Sequence, residues 1–197
     1  MEPNIICLGD IERGKLLLPH LKDIGVNKAH IWIGENDKTI RQNIASNHKI
    51  IIEQAKENGL PEVLIFEDDV YFPSKDGFKY FLDNKPDDFD LYLGGIYSGH
   101  DKINENNKSI NGFYFSGLHC YICHSRFYNT FLSIDTSNED LDSALGKLTR
   151  DGRAKIKVCY PFAAIQRELK SHNTGAIFYH KLFFNEQNTY GFKNATT

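Results

Sequence analysis

The chain has 197 residues, of which 41% are hydrophobic and 25% charged, and it carries a net charge of −3. That length supports one domain with a substantial core, and the slight acidity gives no electrostatic case for nucleic-acid binding. No apolar run is long enough to span a bilayer. Met1-Glu2-Pro3-Asn4 lacks the basic start and apolar core of a secretory leader, so the expected compartment is a reducing cytoplasm.

Asn4 to Leu8 reads as a first strand, with Gly9-Asp10 as its exit. A helix is predicted from about Ile11 to Ile24, with Leu16, Leu17, His20, Leu21 and Ile24 on its inner face and Gly25 closing it. Pro19 falls inside this pattern and predicts a kink or a restart. Ala29 to Ile33 is a second strand. From about Lys38 to Asn58, Ile40, Ile44, His48, Ile51, Ile52 and Ala55 recur at helical spacing, and Gly59 ends the pattern. Pro61 leads into a third strand. Alternation of strand and helix predicts an α/β fold with a mostly parallel central sheet flanked by helices.

The third strand carries the chemistry. Val63-Leu64-Ile65-Phe66 is apolar and branched, as a strand buried on both faces requires. It breaks off in Glu67-Asp68-Asp69 and resumes with Val70-Tyr71-Phe72. Such charges belong at the C-terminal edge of the sheet, where open α/β sheets bind ligands. Three adjacent carboxylates repel one another unless a positive charge holds them, and Mg²⁺ or Mn²⁺, which prefer oxygen ligands, would do so. Residues two apart point the same way, so Glu67 and Asp69 can converge while Asp68 faces elsewhere. The competing reading is a solvated acidic turn, but the Gly, Pro or Asn that usually marks a turn is missing beside the acids.

Beyond Pro73 a short helix is predicted over Gly77 to Asp83, then a strand over Phe89 to Leu93 ending in Gly94-Gly95, where the backbone can turn sharply. Tyr97 to Ser109 is polar and reads as a surface loop, and Gly112 to Cys123 as one or two strands. Helices are predicted over Ser125 to Leu132 and from Ser137 to about Thr149, and a last strand over Lys155 to Tyr160. From Phe162 onward no period is visible, and the segment is expected to wrap a sheet edge. Cys120 and Cys123 lie three apart on a strand and so face opposite sides, which favours buried thiols over a zinc site. No internal repeat or domain boundary is evident, and a single domain over 1–197 is expected.

Taken in order, these motifs resemble the nucleotide-sugar transferases of the GT-A type, and more narrowly glycosyltransferase family 25, the lipopolysaccharide and procollagen galactosyltransferase-like proteins. Leu64-Ile65-Phe66-Glu67-Asp68-Asp69-Val70 resembles the family's metal motif. Ile11-Glu12-Arg13 resembles its first βα turn, and Ser46-Asn47-His48 its Ser-His pair. Phe89 to Gly94 resembles the following strand, Gly117 to Ile122 its Gly-x-x-x-Tyr strand, and Pro161 to Ser171, with Gln166, its C-terminal block. The likeness runs from about Ile5 to Ser171. His172 stands where the family has Asp, Asn47 stands where it commonly has Ser, and the chain leaves little room for an acceptor domain.

The resemblance implies a Mn²⁺- or Mg²⁺-dependent glycosyltransferase that takes a sugar from a UDP-sugar donor to a glycan or other hydroxyl acceptor. Asp69 would be a direct metal ligand, Glu67 a second ligand or a ribose contact, and Asp68 would orient the loop or bind through water. His172, with His180 as the alternative, would reach the metal or diphosphate. Leu8, Asp10 and Arg13 would lie at the nucleotide, with Gln166 completing the donor site. His119 and Tyr121 share a strand face that either lines the pocket or packs in the core, and His48 is either a donor contact or a hydrogen-bonded core histidine. Gly94-Gly95 would let the acceptor approach. An inverting transferase needs a base for the acceptor hydroxyl. Asp142, then Asp140, is the candidate, although acids in a first helical turn also complement the dipole without further role. The alternative function is a non-catalytic nucleotide- or glycan-binding module of transferase-like fold.

Overall fold

The computed structural model describes residues 1–7, 11–34, 39–99, 108–167 and 187–191. A first strand, β1 (Asn4–Cys7), is followed by α1 (Ile11–Asp23), β2 (His30–Ile33), α2 (Ile40–Glu57) and β3 (Glu62–Glu67). Next come β4 (Val70–Tyr71), α3 (Gly77–Asp83), β5 (Leu91–Leu93), β6 (Ser109–Asn111) and β7 (Cys120–His124). The chain continues through α4 (Tyr128–Leu132), α5 (Leu141–Arg150), β8 (Ile156–Cys159) and β9 (Ile165–Gln166). Seven strands form one sheet in the order β2-β1-β3-β7-β5-β8-β6, while β4 and β9 form a separate ribbon.

The sheet is mostly parallel in direction. Strands β1, β2 and β3 run together, and β5 runs with β8; β7 lies antiparallel to both β3 and β5, and β6 antiparallel to β8. The reversal has a local cause. A parallel crossover needs a dozen or more residues, usually a helix, and among the described residues no helix lies between β5 and β7.

Each face of the sheet carries its own core. Val63 and Ile65 point into a layer with α2, α4 and α5, while Leu64 and Phe66 point into the layer under α1 and α3. The same alternation divides β7: Cys120 joins the second layer and Cys123 the first. All four cysteines are buried free thiols. Helix α1 continues through Pro19 and buries Gly14, Leu17 and Leu21. Gly14 lets it lie close on β1, since a Cβ there would meet the Cys7 Sγ at 2.4 Å. Leu16, expected on the inner face, is 69% exposed, because one residue along a helix is a rotation of about 100° away from Leu17. Ile40, at the first position of α2, is likewise exposed. Among the described residues no helix is long and apolar enough to cross a membrane.

Other boundaries moved for identifiable reasons. Ser109–Asn111 pairs with β8, whereas the aromatic run 112–119 is not a strand. Helix α5 begins only at Leu141, because the Asp135 side chain accepts the Ser137 N–H and holds the preceding residues in a turn.

Gly94-Gly95 approaches the chain's own C-terminal segment rather than an open cleft. The Gly94 carbonyl accepts from the N–H groups of Ala163 and Ala164, and a Cβ on Gly95 would sit 2.2 Å from the Ala164 carbonyl oxygen. The crossing delivers β9 to β4. Gly95→Ala is therefore expected to destabilise the fold by about 1–3 kcal/mol, the usual cost of overpacking a closed contact, as read from urea unfolding. An unchanged midpoint would show that the crossing is loose.

Candidate functional site

The acid triplet lies where β3 leaves the sheet. Val70 of β4 pairs with Gln166 of β9, and the Arg167 N–H donates to the Asp69 carbonyl at 2.6 Å. This short ribbon folds the end of the chain over the acids. The Gln166 Nε2 then donates to Glu67 Oε2 at 3.3 Å and to the two Asp69 oxygens at 3.2 and 3.1 Å. Glu67 and Asp69 thus converge on one amide. Asp68 turns the other way and pairs with the Arg13 guanidinium at 2.9 Å.

Behind Glu67 the contacts are buried. His48 of α2 has no solvent exposure. Its Nε2 lies 3.3 Å from Glu67 Oε1, and its Nδ1 lies 2.8 Å from the Tyr121 hydroxyl. Burial pushes the imidazole down to about 3, so it is neutral and one nitrogen carries the hydrogen. When Glu67 is ionised it only accepts, which puts the hydrogen on Nε2 and leaves Nδ1 to accept from Tyr121. His48 therefore reaches the site through Glu67, and Tyr121 through His48. His119 is also fully buried, with its Nε2 3.2 Å from the Ala164 carbonyl, so it supports the crossing segment from beneath.

The acids of the cluster feel one another's charge. Burial, then the charge of Asp142, raises Glu67 to about 7, against the pull of Arg13. Burial, then repulsion from Glu67, raises Asp69 to about 7, against the Gln166 hydrogen bond and Arg13. Asp142, in the first turn of α5, is raised by burial and held down by N–H donors from Gly117 at 3.1 Å and Ser143 at 2.8 Å. Asp140 precedes α5 and faces outward, bonded to Arg41 Nε at 2.7 Å. Of the two candidate bases, Asp142 is the one whose charge is felt at Glu67 and His48.

Tyr97 belongs to this cluster although it reads as the start of a surface loop. Burial, then Asp69 and Glu67, raises its hydroxyl, and its ring lies against Gly117, where a Cβ would be 3.2 Å away. Its position two residues beyond the glycine pair was the available signal. Arg167, whose guanidinium lies 5.8 Å over the Tyr71 ring and feels the charge of Asp69, was signalled by adjacency to Gln166. Asn47 packs against Gly34. Leu8, Asp10, His172 and His180 lie outside the described residues.

Among the described residues no group of three His, Cys, Asp or Glu side chains is placed to hold a metal. Glu67 and Asp69 nevertheless suit a small hard cation. Two carboxylates raised to about 7 share a single amide donor in the space between them. Mg²⁺-type ions take one or two carboxylates and complete their shell with substrate phosphates and water.

No family model and no curated protein matches the sequence. Among solved structures, the chain is similar to a glycosyltransferase involved in glycosylation of the major capsid of PBCV-1 (TM-score 0.49, 13% identity, 80% of this chain and 81% of that one). It is similar also to the inositol-1-phosphate CTP transferase of T. maritima (0.49, 16%, 92% and 93%). A mutant Drosophila β1,4-galactosyltransferase 7 complexed with manganese, UDP-Gal and xylobiose matches at a TM-score of 0.52 and 9% identity, over 99% of this chain and 78% of that one. At such identity the likeness is one of architecture, and the last of these matches, with the sheet order above, shows a Rossmann-like α/β fold of the GT-A type.

Proposed function

We propose that this chain is a metal-dependent glycosyltransferase of the family 25 kind, moving galactose or glucose from a UDP-sugar to a glycan or other hydroxyl acceptor with inversion. The carrying observation is the convergence of Glu67 and Asp69 at the sheet edge, where each raises the cost of the other's charge. Glu67 and Asp69 would hold Mn²⁺ or Mg²⁺. When bound, the ion supplies positive charge to the departing diphosphate. The Drosophila protein of like fold was crystallised with manganese and UDP-Gal, ligands of the same classes. The cytoplasm is the proposed compartment, in keeping with four buried free thiols.

The remaining roles belong to the chain's own groups. Neutral His48 fixes the plane of Glu67, and Arg13 holds Asp68 away from the pair. Gln166 bridges the two acids with the two hydrogens of its amide, one toward each carboxylate. As the acceptor oxygen bonds to the anomeric carbon and the bond to the diphosphate breaks, the hydroxyl proton passes to Asp142. Burial raises the basicity of Asp142 toward that task.

Thermal unfolding with a panel of UDP-sugars, with and without Mn²⁺, tests this reading. Ligand at 100 times its Kd stabilises the folded form by about 2.7 kcal/mol, or roughly 5–10 °C for a chain of this size. The expected shift needs Mn²⁺. Nucleotide binding indifferent to Mn²⁺ would instead favour the non-catalytic module.

A further inference from the structure

One surface feature has no role in the core or at the acid pair. Between β6 and β7 the loop 112–117 exposes two adjacent aromatic rings, Phe113 at 37% and Tyr114 at 46%, while the next residue, Phe115, is buried at 2%. Phe115 anchors the loop and its neighbours project from it. Tyr114 has a φ of 48°, a left-handed conformation that bulky residues rarely adopt. The surroundings hold it there. The Phe113 N–H donates to the Gly99 carbonyl at 2.6 Å, and a Cβ on Gly99 would sit 2.3 Å from the Phe113 carbonyl oxygen. Strained positions kept by their surroundings are a recurrent mark of ligand sites.

The floor of the loop is α5, the helix that carries Asp142. A Cβ on Gly146 would lie 2.7 Å from the Tyr114 Cα, and the Arg150 guanidinium lies 5.1 Å over the Tyr114 ring. Asp142, Gly146 and Arg150 are four residues apart and so form one stripe along the helix, each step being about one turn, ~5.4 Å. The far end of the loop returns to the site itself, because the Gly117 N–H donates to Asp142 Oδ2. The exposed rings therefore stand one to two helical turns from the proposed base, joined to it by both helix and loop. Arg150 is paired with Asp151 at 3.0 Å. Its Nη1 also donates to the Tyr114 hydroxyl, so the flanking polar groups carry no net charge, which suits neutral hydroxyls better than a phosphate or a charged peptide.

We propose that Phe113 and Tyr114 form an acceptor subsite, a stacking platform for the second sugar ring of a glycan whose first ring presents its hydroxyl to Asp142. This rests on the transferase reading above. It adds that the acceptor is an oligosaccharide of at least two rings. Aromatic faces take the apolar side of a sugar ring, while hydroxyls at its rim bond to polar neighbours.

The test is retention of the full-length protein, with UDP and Mn²⁺ present, on an array printed with mono-, di- and trisaccharides. Wild type is compared with Phe113→Ala and Tyr114→Gly. Glycine tolerates the positive φ, so the second variant removes the ring while keeping the backbone. Wild type is expected to hold some glycans of two or more rings at least 10-fold better than their monosaccharides, and both variants to lose that preference. The UDP-induced melting shift is expected to be equal in all three proteins. Absence of glycan retention by wild type, or undiminished retention by the variants, overturns the subsite. Absence of a UDP shift beside intact, aromatic-dependent glycan retention would overturn the donor reading and leave the subsite standing.

Discussion

Asp69→Ala is expected to lower sugar transfer from a UDP-sugar by about 10²–10³-fold, the usual loss when one group that stabilises transition-state charge is removed. The same substitution is expected to leave the unliganded protein at least as stable above neutral pH. Asp69 and Glu67 repel each other, and the raised basicity of Asp69 means that its charge opposes folding. An exposed metal-free carboxylate would show neither effect, and a purely structural one would show lost activity together with lost stability. Steady-state kinetics and urea unfolding on one preparation separate the cases. Transfer at the wild-type rate would remove Asp69 from the mechanism.

The second large effect is one of pH. Glu67 and Asp69 are ordinary carboxyls in the unfolded chain but are lifted to about 7 in the folded one. Between those values the folded form binds more protons than the unfolded form, so stability without metal falls as pH rises from about 4 to about 7. Because the two acids interact, their protons leave in steps that belong to the pair. A divalent ion competes with those protons. The melting shift produced by a fixed concentration of Mn²⁺ is therefore expected to be small at pH 5.5 and full at pH 8, and flat across that range in Asp69→Ala. An equal shift at both pH values in wild type would place the ion elsewhere.

How much of this was legible in the sequence depended on whether the signal was local. The β3 run from Val63 to Phe66 is apolar at every position, and its abrupt end marks the sheet edge without help from the rest of the chain. The divergence of Asp68 from Glu67 and Asp69 follows from strand geometry, and Arg13 is the partner that receives it. The reversal of β7 was hidden, because direction depends on the connection before it and not on its own residues. Tyr97 was hidden for a similar reason, since the acids it approaches lie on another strand. Asp140 and Asp142 look alike as helix-start acids. Only the placement of α5 against the loop ending at Gly117 separates the outward residue from the inward one. Gln166 entered through family likeness alone, since nothing in its neighbourhood predicts a carboxamide bridging residues almost a hundred positions earlier.

The β4–β9 ribbon has a dynamic consequence. Two residues on each side hold it, whereas β3 and β7 share a five-residue ladder inside the main sheet. Short peripheral ladders open at far lower free energy than central ones. The flap bearing Gln166 can therefore breathe while the sheet below stays closed, so entry to the acid pair does not require unfolding. In native-state hydrogen exchange, the amides of Val70 and Gln166 would trade their protons well before those of Leu64 and Ile122.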